Sequence, residues 1–203
     1  MSPQLFIGLA SALLTSIVGP IAVHYVKILT EKSKEDSLSE SLEVNNLIVE
    51  KLENIRNCVG SDRIWLLQFH NGGHFYPTGK SIQKFSMVYE VLSDDIVPCQ
   101  AQFQNIPVSL FNKGINSLHK GSIISIPDAL IHNKQFEGFT SVISGASVKS
   151  TYIFPVYNIK DDFIGIIGVD FVKSSKDLKG TQLTDLELEI STVGGVLHGY
   201  LVK

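Results

Sequence analysis

The densest group of polar side chains in the chain is His70-Asn71-Gly72-Gly73-His74. One amide, two imidazoles and two glycines in succession can offer side-chain and backbone N–H donors to a small polar ligand, and imidazoles titrate near neutral pH. The same residues also make ordinary turn chemistry, because Asn-Gly and Gly-Gly close tight hairpins. Metal binding by His70 and His74 would require both on one helical face, which the two glycines oppose. Around this group, Tyr76, Tyr89 and Tyr152, with Phe85, are candidates for lining a pocket, and Asp128, Lys149 and Ser150 for its rim. The competing reading makes these aromatics plain core and Asp128 the N-cap of a short helix.

Other chemistry finds no residues to carry it. There is no G-x-S-x-G elbow, H-E-x-x-H pair, phosphate-binding glycine loop or acid pair in an acid/base setting. The chain is therefore expected not to be an enzyme and to need no cofactor. Cys58 and Cys99 have neither the spacing of a metal knuckle nor that of a disulfide framework, and read as free thiols. A net charge of −3 with scattered Lys and Arg gives no basic stripe, so nucleic acid is not an expected partner. Hydrophobic residues make up 44% and charged residues 18%, enough apolar material for a sizeable core.

The elements that must hold such a site follow from periodicity. Thr151 to Val156 and Phe163 to Val172 read as two strands joined by the polar turn Asn158 to Asp162. The second is almost continuously apolar, as in a strand covered on both faces. Pro155 cannot donate to a ladder, which expects an edge or a bulge there, and Gly165 and Gly168 mark close approach of a neighbour. Arg63 to Phe69 reads as the first strand, ending in a loop from His70 to Gly79. Lys84 to Leu92 is a second strand, Phe103 to Leu110 is weakly extended with Pro107 against a central position, and Ser122 to Ile126 is a short strand. Ala129 to Ser147 reads as a helical turn or two plus a loop. Thr184 and Glu187 fit a capping box that opens a closing helix with Leu186, Ile190, Val193, Leu197 and Leu201 on one face.

Upstream, Leu5 to Val26 is apolar and uncharged apart from His24. As a helix it would span about 33 Å at ~1.5 Å per residue, enough to cross a bilayer. Lys27, Lys32 and Lys34 follow it and no basic residue precedes it, so the positive-inside bias predicts a single-pass inner (cytoplasmic) membrane protein, N-out, with the C-terminal domain in the cytoplasm. A charged linker is expected from residue 30 to 41. Leu38, Leu42, Asn45, Val49 and Leu52 then follow a 4-3-4-3 spacing, the seam of a coiled coil and the expected oligomer interface. A second stripe, Val44, Ile48, Leu52, Ile55 and Val59, runs beside it. One amphipathic helix with a wide apolar face is the alternative. Gly60 should cap this helix. The expected division is an anchor over 1–29, the linker over 30–41 and a domain over 42–203.

That order of elements resembles a GAF domain. The resemblance rests on Ser150-Thr-Tyr-Ile-Phe-Pro-Val156, Phe163-Ile-Gly-Ile-Ile-Gly-Val-Asp-Phe171 and Leu183-Thr-Asp-Leu-Glu187, and covers about Leu38 to Lys203. It implies an α+β fold, an antiparallel sheet with flanking helices, here preceded by one N-terminal transmembrane helix. It also implies a module that binds or senses a small ligand, possibly a nucleotide, or that dimerises. The Asn-Lys-x-x-x-Phe-x-x-x-Asp-Glu motif of nucleotide-binding members is missing, and no cysteine stands where a chromophore would obviously attach. Phe69 to Gly73 also resembles a segment of small membrane-anchored proteins of tailed bacteriophages. The resulting expectation is a membrane-anchored, homo-oligomeric GAF-like module with a small polar ligand; the alternative is an assembly or scaffold protein without one.

Overall fold

A computed structural model of the chain describes residues 19–75, 77–129, 139 and 147–201. Helix α1 (Gly19–Val59) leads into β1 (Arg63–His74) and β2 (Ser81–Leu92). After a 3-10 turn come β3 (Ile106–Pro107), α2 (Asn112–His119) and β4 (Ile124–Ile126); β5 (Ser150–Tyr157), β6 (Phe163–Phe171) and α3 (Thr181–Leu201) complete the order. The strands form one sheet, β3-β2-β1-β6-β5-β4, antiparallel at every pairing. β1 and β6 are central, which is why β6 is buried over most of its length and β1 from Arg63 through Leu67. The architecture is α+β, a six-stranded antiparallel sheet with flanking helices.

Alternation sorts the side chains. Ile64 and Leu66 of β1 share one face with Tyr152 and Phe154 of β5 and Ile167 and Val169 of β6, all fully buried. α3 covers this face with Leu186, Ile190, Val193 and Leu197. At Gly194 any Cβ would run into the carbonyl of Tyr157, so α3 packs closely on β5 there. Arg63, Trp65, Leu67 and Phe69 of β1 point to the opposite face, where α2 and the segments around β3 pack. Gly168 is flat beneath the Trp65 ring and Gly165 beneath the Leu67 carbonyl, as expected of a strand with close neighbours.

Several local expectations shift. The loop expected over residues 70–79 is shorter, because β1 runs on through His74 and pairs to Ser81, leaving the turn at 75–80. Gly72 and Gly73 serve as a bulge in that ladder, Gly73 at φ +104°. Pro155 lies past Ile153, where β4 stops pairing, with a bulge next to Tyr157, so its missing donor costs no ladder bond to β4. Pro107 likewise sits in a two-residue edge strand. α3 begins at Thr181, three residues before the expected cap, and the Thr184 hydroxyl donates back to Gly180 O instead of capping. Gly60 does end α1, at φ +64°, with Ser61 N–H donating to Arg56 O at 3.1 Å.

The chain divides into two compact units, residues 1–45 and 46–203, with α1 contributing to each. The linker expected over 30–41 is helical and part of α1, in keeping with its Glu, Lys and Leu and its lack of Gly and Pro. In the second unit Ile48, Leu52 and Ile55 are buried, as the second stripe expects. Leu52 is thereby enclosed by its own domain and is not available to a partner helix, whereas Leu38 and Leu42 are exposed. No helix among the described residues is long and apolar enough to cross a membrane. Most of the expected span, residues 5–18, lies outside them.

Candidate functional site

The face carrying Arg63, Trp65, Leu67 and Phe69 changes character along its length. At the Arg63 end a buried polar cluster forms from the start of β1, the end of β6 and the last residues of β2. Arg63 Nη1 donates to Asp170 Oδ2 at 3.3 Å and Nη2 to Val97 O at 2.9 Å. Its Nε lies 3.2 Å from Glu90 Oε1, an ion-pair distance, but does not aim its hydrogen at that oxygen. Asp170 also accepts from Thr151 Oγ1 at 2.6 Å and Trp65 Nε1 at 2.9 Å. Burial pushes the Asp170 carboxyl above its ordinary range, opposed by these three donors. Glu90 accepts from the backbone N–H of Cys99 and Gln100 and from the Cys99 thiol at 3.1 Å.

A bulge in β2 builds this cluster. Val88 is an extra residue opposite the Leu66–Leu67 step, so Glu90 and Met87, three apart, both face inward while Tyr89 faces the other way. Beside the cluster lies a cavity of about 30 Å³ among Trp65, Leu67, Phe85, Met87, Phe111 and Phe139. That is room for about two water molecules and no organic ligand. Phe111 stacks at a tilt on Phe139 and edge-on to Phe85, at 4.9 and 5.3 Å between ring centres, and these rings fill the space between sheet and helix. Burial and the Glu90 carboxylate push the Cys99 thiol up to about 12, which keeps it protonated.

Toward the other end the face opens into a groove of about 480 Å³ between the sheet and α2. Its floor is Phe69 and Phe163, ring centres 4.9 Å apart. One wall is α2, where Asn112, Asn116 and His119 recur at helical spacing beside Ile115; the other is Gln83 of β2. His119 meets Phe163 edge-on at 5.6 Å. The Tyr157 hydroxyl donates to Leu118 O at 3.1 Å and ties the end of α2 to β5; burial pushes this phenol up, so it stays a donor. Asn112 and Asn116 make no side-chain hydrogen bond among the described residues, so two amides stand open to the groove. Among the described residues no Lys, Arg, Asp or Glu lines it. Aromatic floor and amide walls can stack a flat ligand and hydrogen-bond its edge.

The residues expected to bind a ligand are only partly brought together. Asn71 is on the groove's face: its Oδ1 accepts from Gln83 Nε2 at 3.0 Å and Ser81 Oγ at 3.1 Å, and so orients the groove's Gln83. His70 alternates to the opposite face, with Nε2 2.9 Å from Ser86 Oγ. Gly72 and Gly73 are the bulge, and His74 is exposed near the hairpin end. Tyr76 lies outside the described residues. Tyr89, Ser150 and Tyr152 are on the face away from the groove. The Tyr152 hydroxyl is spent on Lys176 O and Leu178 N–H, and Ser150 Oγ accepts Lys176 N–H. Lys149 Nζ donates to Lys173 O, and Asp128 is half-buried just after β4. The sequence reading passed over Asn112, Asn116, Gln83 and His119. Their i, i+4, i+7 spacing in Asn-Lys-Gly-Ile-Asn-Ser-Leu-His was the available signal. Among the described residues no three His, Cys, Asp or Glu side chains converge to hold a metal ion.

No protein-family model matches the chain, and no curated protein matches it in sequence. Solved structures do. GAF3 of Slr1393 from Synechocystis, in its photoproduct state, superposes with a TM-score of 0.61 at 11% identity, over 78% of this chain and 96% of that one. The blue-light-absorbing PixJ GAF domain of Thermosynechococcus elongatus gives 0.63 at 15% identity, over 80% and 89%. A phycocyanobilin-bound GAF domain of a cyanobacterial phytochrome gives 0.62 at 15%, over 84% and 93%. At such identities the likeness establishes a GAF-like fold and nothing finer.

Proposed function

We propose that this chain is a non-enzymatic, ligand-binding GAF-like module, anchored in the inner membrane by its N-terminal segment with the domain in the cytoplasm, that homo-oligomerises through α1. The observation that carries the ligand reading is the groove over Phe69 and Phe163. It is a wide-open groove with an aromatic floor and two amides that make no side-chain hydrogen bond among the described residues. The uncharged lining among the described residues favours a small polar ligand held by stacking and hydrogen bonds, a nucleotide held by its base among them. The bilin named for one structural neighbour adds that this fold accommodates flat ligands. For the anchor, Ile21, Val23, Tyr25, Val26 and Ile28 are all exposed at the start of α1, where they continue the apolar run that begins at Leu5. For the oligomer, exposed Leu38 and Leu42 lie in the seam with Asn45 and Val49.

A second reading has its own support. The space beneath Trp65 is filled by Phe85, Phe111 and Phe139, and a domain with a plugged interior and an exposed leucine seam also suits a ligand-free assembly protein, possibly phage-encoded. Native mass spectrometry on the full chain in detergent, purified from its own host, separates the two. A discrete added mass, lost on Asn116→Ala, is expected. An oligomer that stays empty after exposure to host metabolites overturns the ligand reading in favour of assembly. Charged substitutions at Leu42 and Val49 are expected to dissociate the oligomer, and an unchanged mass overturns the seam.

A further inference from the structure

The β1–β2 hairpin reaches beyond the sheet that supports it. Pairing of β1 with β6 ends at Gln68 opposite Gly165, and β3 covers β2 only at Lys84 and Phe85. Among the described residues, His70 to His74 and Ser81 to Gln83 therefore have no strand on either outer edge, and the arm they form projects by roughly 15 Å at ~3.3 Å per residue. An isolated two-stranded ribbon is marginal in water. This one is stiffened by the Asn71–Ser81–Gln83 bonds and by His70 on Ser86.

Its tip is built and not frayed. Phe75 N–H donates to Lys80 O and Gly79 N–H to Phe75 O, each at 2.8 Å, with Gly79 at φ +68°. The backbone thus fixes a large apolar ring where 53% of it stays exposed, which a merely connecting turn does not require. Within the hairpin itself the charge is one-signed, although the β5–β6 turn with Asp161 and Asp162 closes the same end of the sheet. From Arg63 to Tyr89 the sequence has no Asp or Glu, although the chain holds 20 of them against 17 Lys and Arg. Lys80 follows the tip, and the Lys84 stem lies across Gly72, where any Cβ would collide with it. An aromatic ring leading and two ammonium groups set behind it match the interfacial layer of a bilayer, with the ring among headgroups and acyl ends and the lysines on lipid phosphates.

We infer that the hairpin tip is a second membrane contact, docking Phe75 into an anionic lipid surface with Lys80 and Lys84 on the phosphates. This rests on the anchored reading above, since a tethered domain meets the surface at high effective concentration. The test uses the full chain carrying Phe75→Trp, reconstituted in vesicles of phosphatidylcholine alone or mixed with phosphatidylglycerol, each with lipids brominated near the headgroup end. Buried Trp65 is the internal reference. The introduced tryptophan is expected to be quenched in the anionic vesicles and less so in neutral ones or at high salt. The docked-to-undocked ratio should fall roughly fivefold on Lys80→Gln, and again on Lys84→Gln. A chain that floats with the vesicles while the introduced tryptophan is no more quenched than Trp65 overturns the inference and leaves the anchor standing. Quenching indifferent to lipid charge and to both lysines overturns the anionic contact. A chain that fails to float overturns the anchor and this inference with it.

Discussion

The two ends of one sheet face use polar residues in opposite ways. At the Arg63 end, charges are buried, mutually bonded and packed beside a cavity of about 30 Å³. At the Phe69 end, uncharged amides stand unbonded over about 480 Å³ of open groove. The first end has the more conspicuous chemistry, with an arginine, two carboxylates and a thiol within reach of one another. Yet nearly every donor and acceptor there is already satisfied from within the fold, so a ligand would have to break bonds to bind. The second end has nothing to lose. Polar residues mark a binding site by their unmet bonds more than by their charge.

The contrast predicts that substitutions at the two ends separate stability from binding. Arg63→Ala leaves Asp170 and Glu90 buried without their cation and should cost about 3–5 kcal/mol, read as a fall in urea midpoint; a loss under about 1 kcal/mol would mean the cluster is not a structural lock. Asn116→Ala removes an amide with no side-chain hydrogen bond among the described residues. It should leave that midpoint within about 0.5 kcal/mol, while abolishing retention of the co-purifying mass. A large destabilisation there would erase the distinction between the ends. The smallest effect concerns the two thiols. At pH 8 Cys99, raised to about 12, has a thiolate fraction of about one in ten thousand, so iodoacetamide should modify exposed Cys58 and spare Cys99 until the domain unfolds. Because the folded state holds this proton above the ordinary value of 9.0, its contribution to stability is complete below pH 9 and is lost as pH rises toward 12.

Much of the frame was legible before the fold was seen. The alternation and turn chemistry of Thr151 to Phe171, Gly60 as the end of α1, and Pro107 and Pro155 at unpaired edges are local signals, and local sterics enforce them. The helical continuity through residues 30–41 was not, because a charged stretch reads equally as a solvated linker or an exposed helix. The candidate site was least legible. His70, Asn71 and His74 attract notice as neighbours in sequence, but a strand sends successive side chains to opposite faces, and only Asn71 lands beside the groove. Tyr89 and Tyr152 face away by the same alternation.

What the sequence by itself determined is the order of strands and helices, the central apolar hairpin, the glycines of β6 that let β1 come close, and the free thiols. Each follows from propensity, periodicity or a steric rule acting within a few residues. What only the tertiary structure decided is which distant residues meet. The bulge at Val88 turns Glu90 inward toward an arginine at the start of β1, and an aspartate at the end of β6 completes the cluster. α2 likewise brings Asn112, Asn116 and His119 over Phe69 and Phe163. Register and strand order set those encounters, and a one-residue shift in either would send each side chain to the other face.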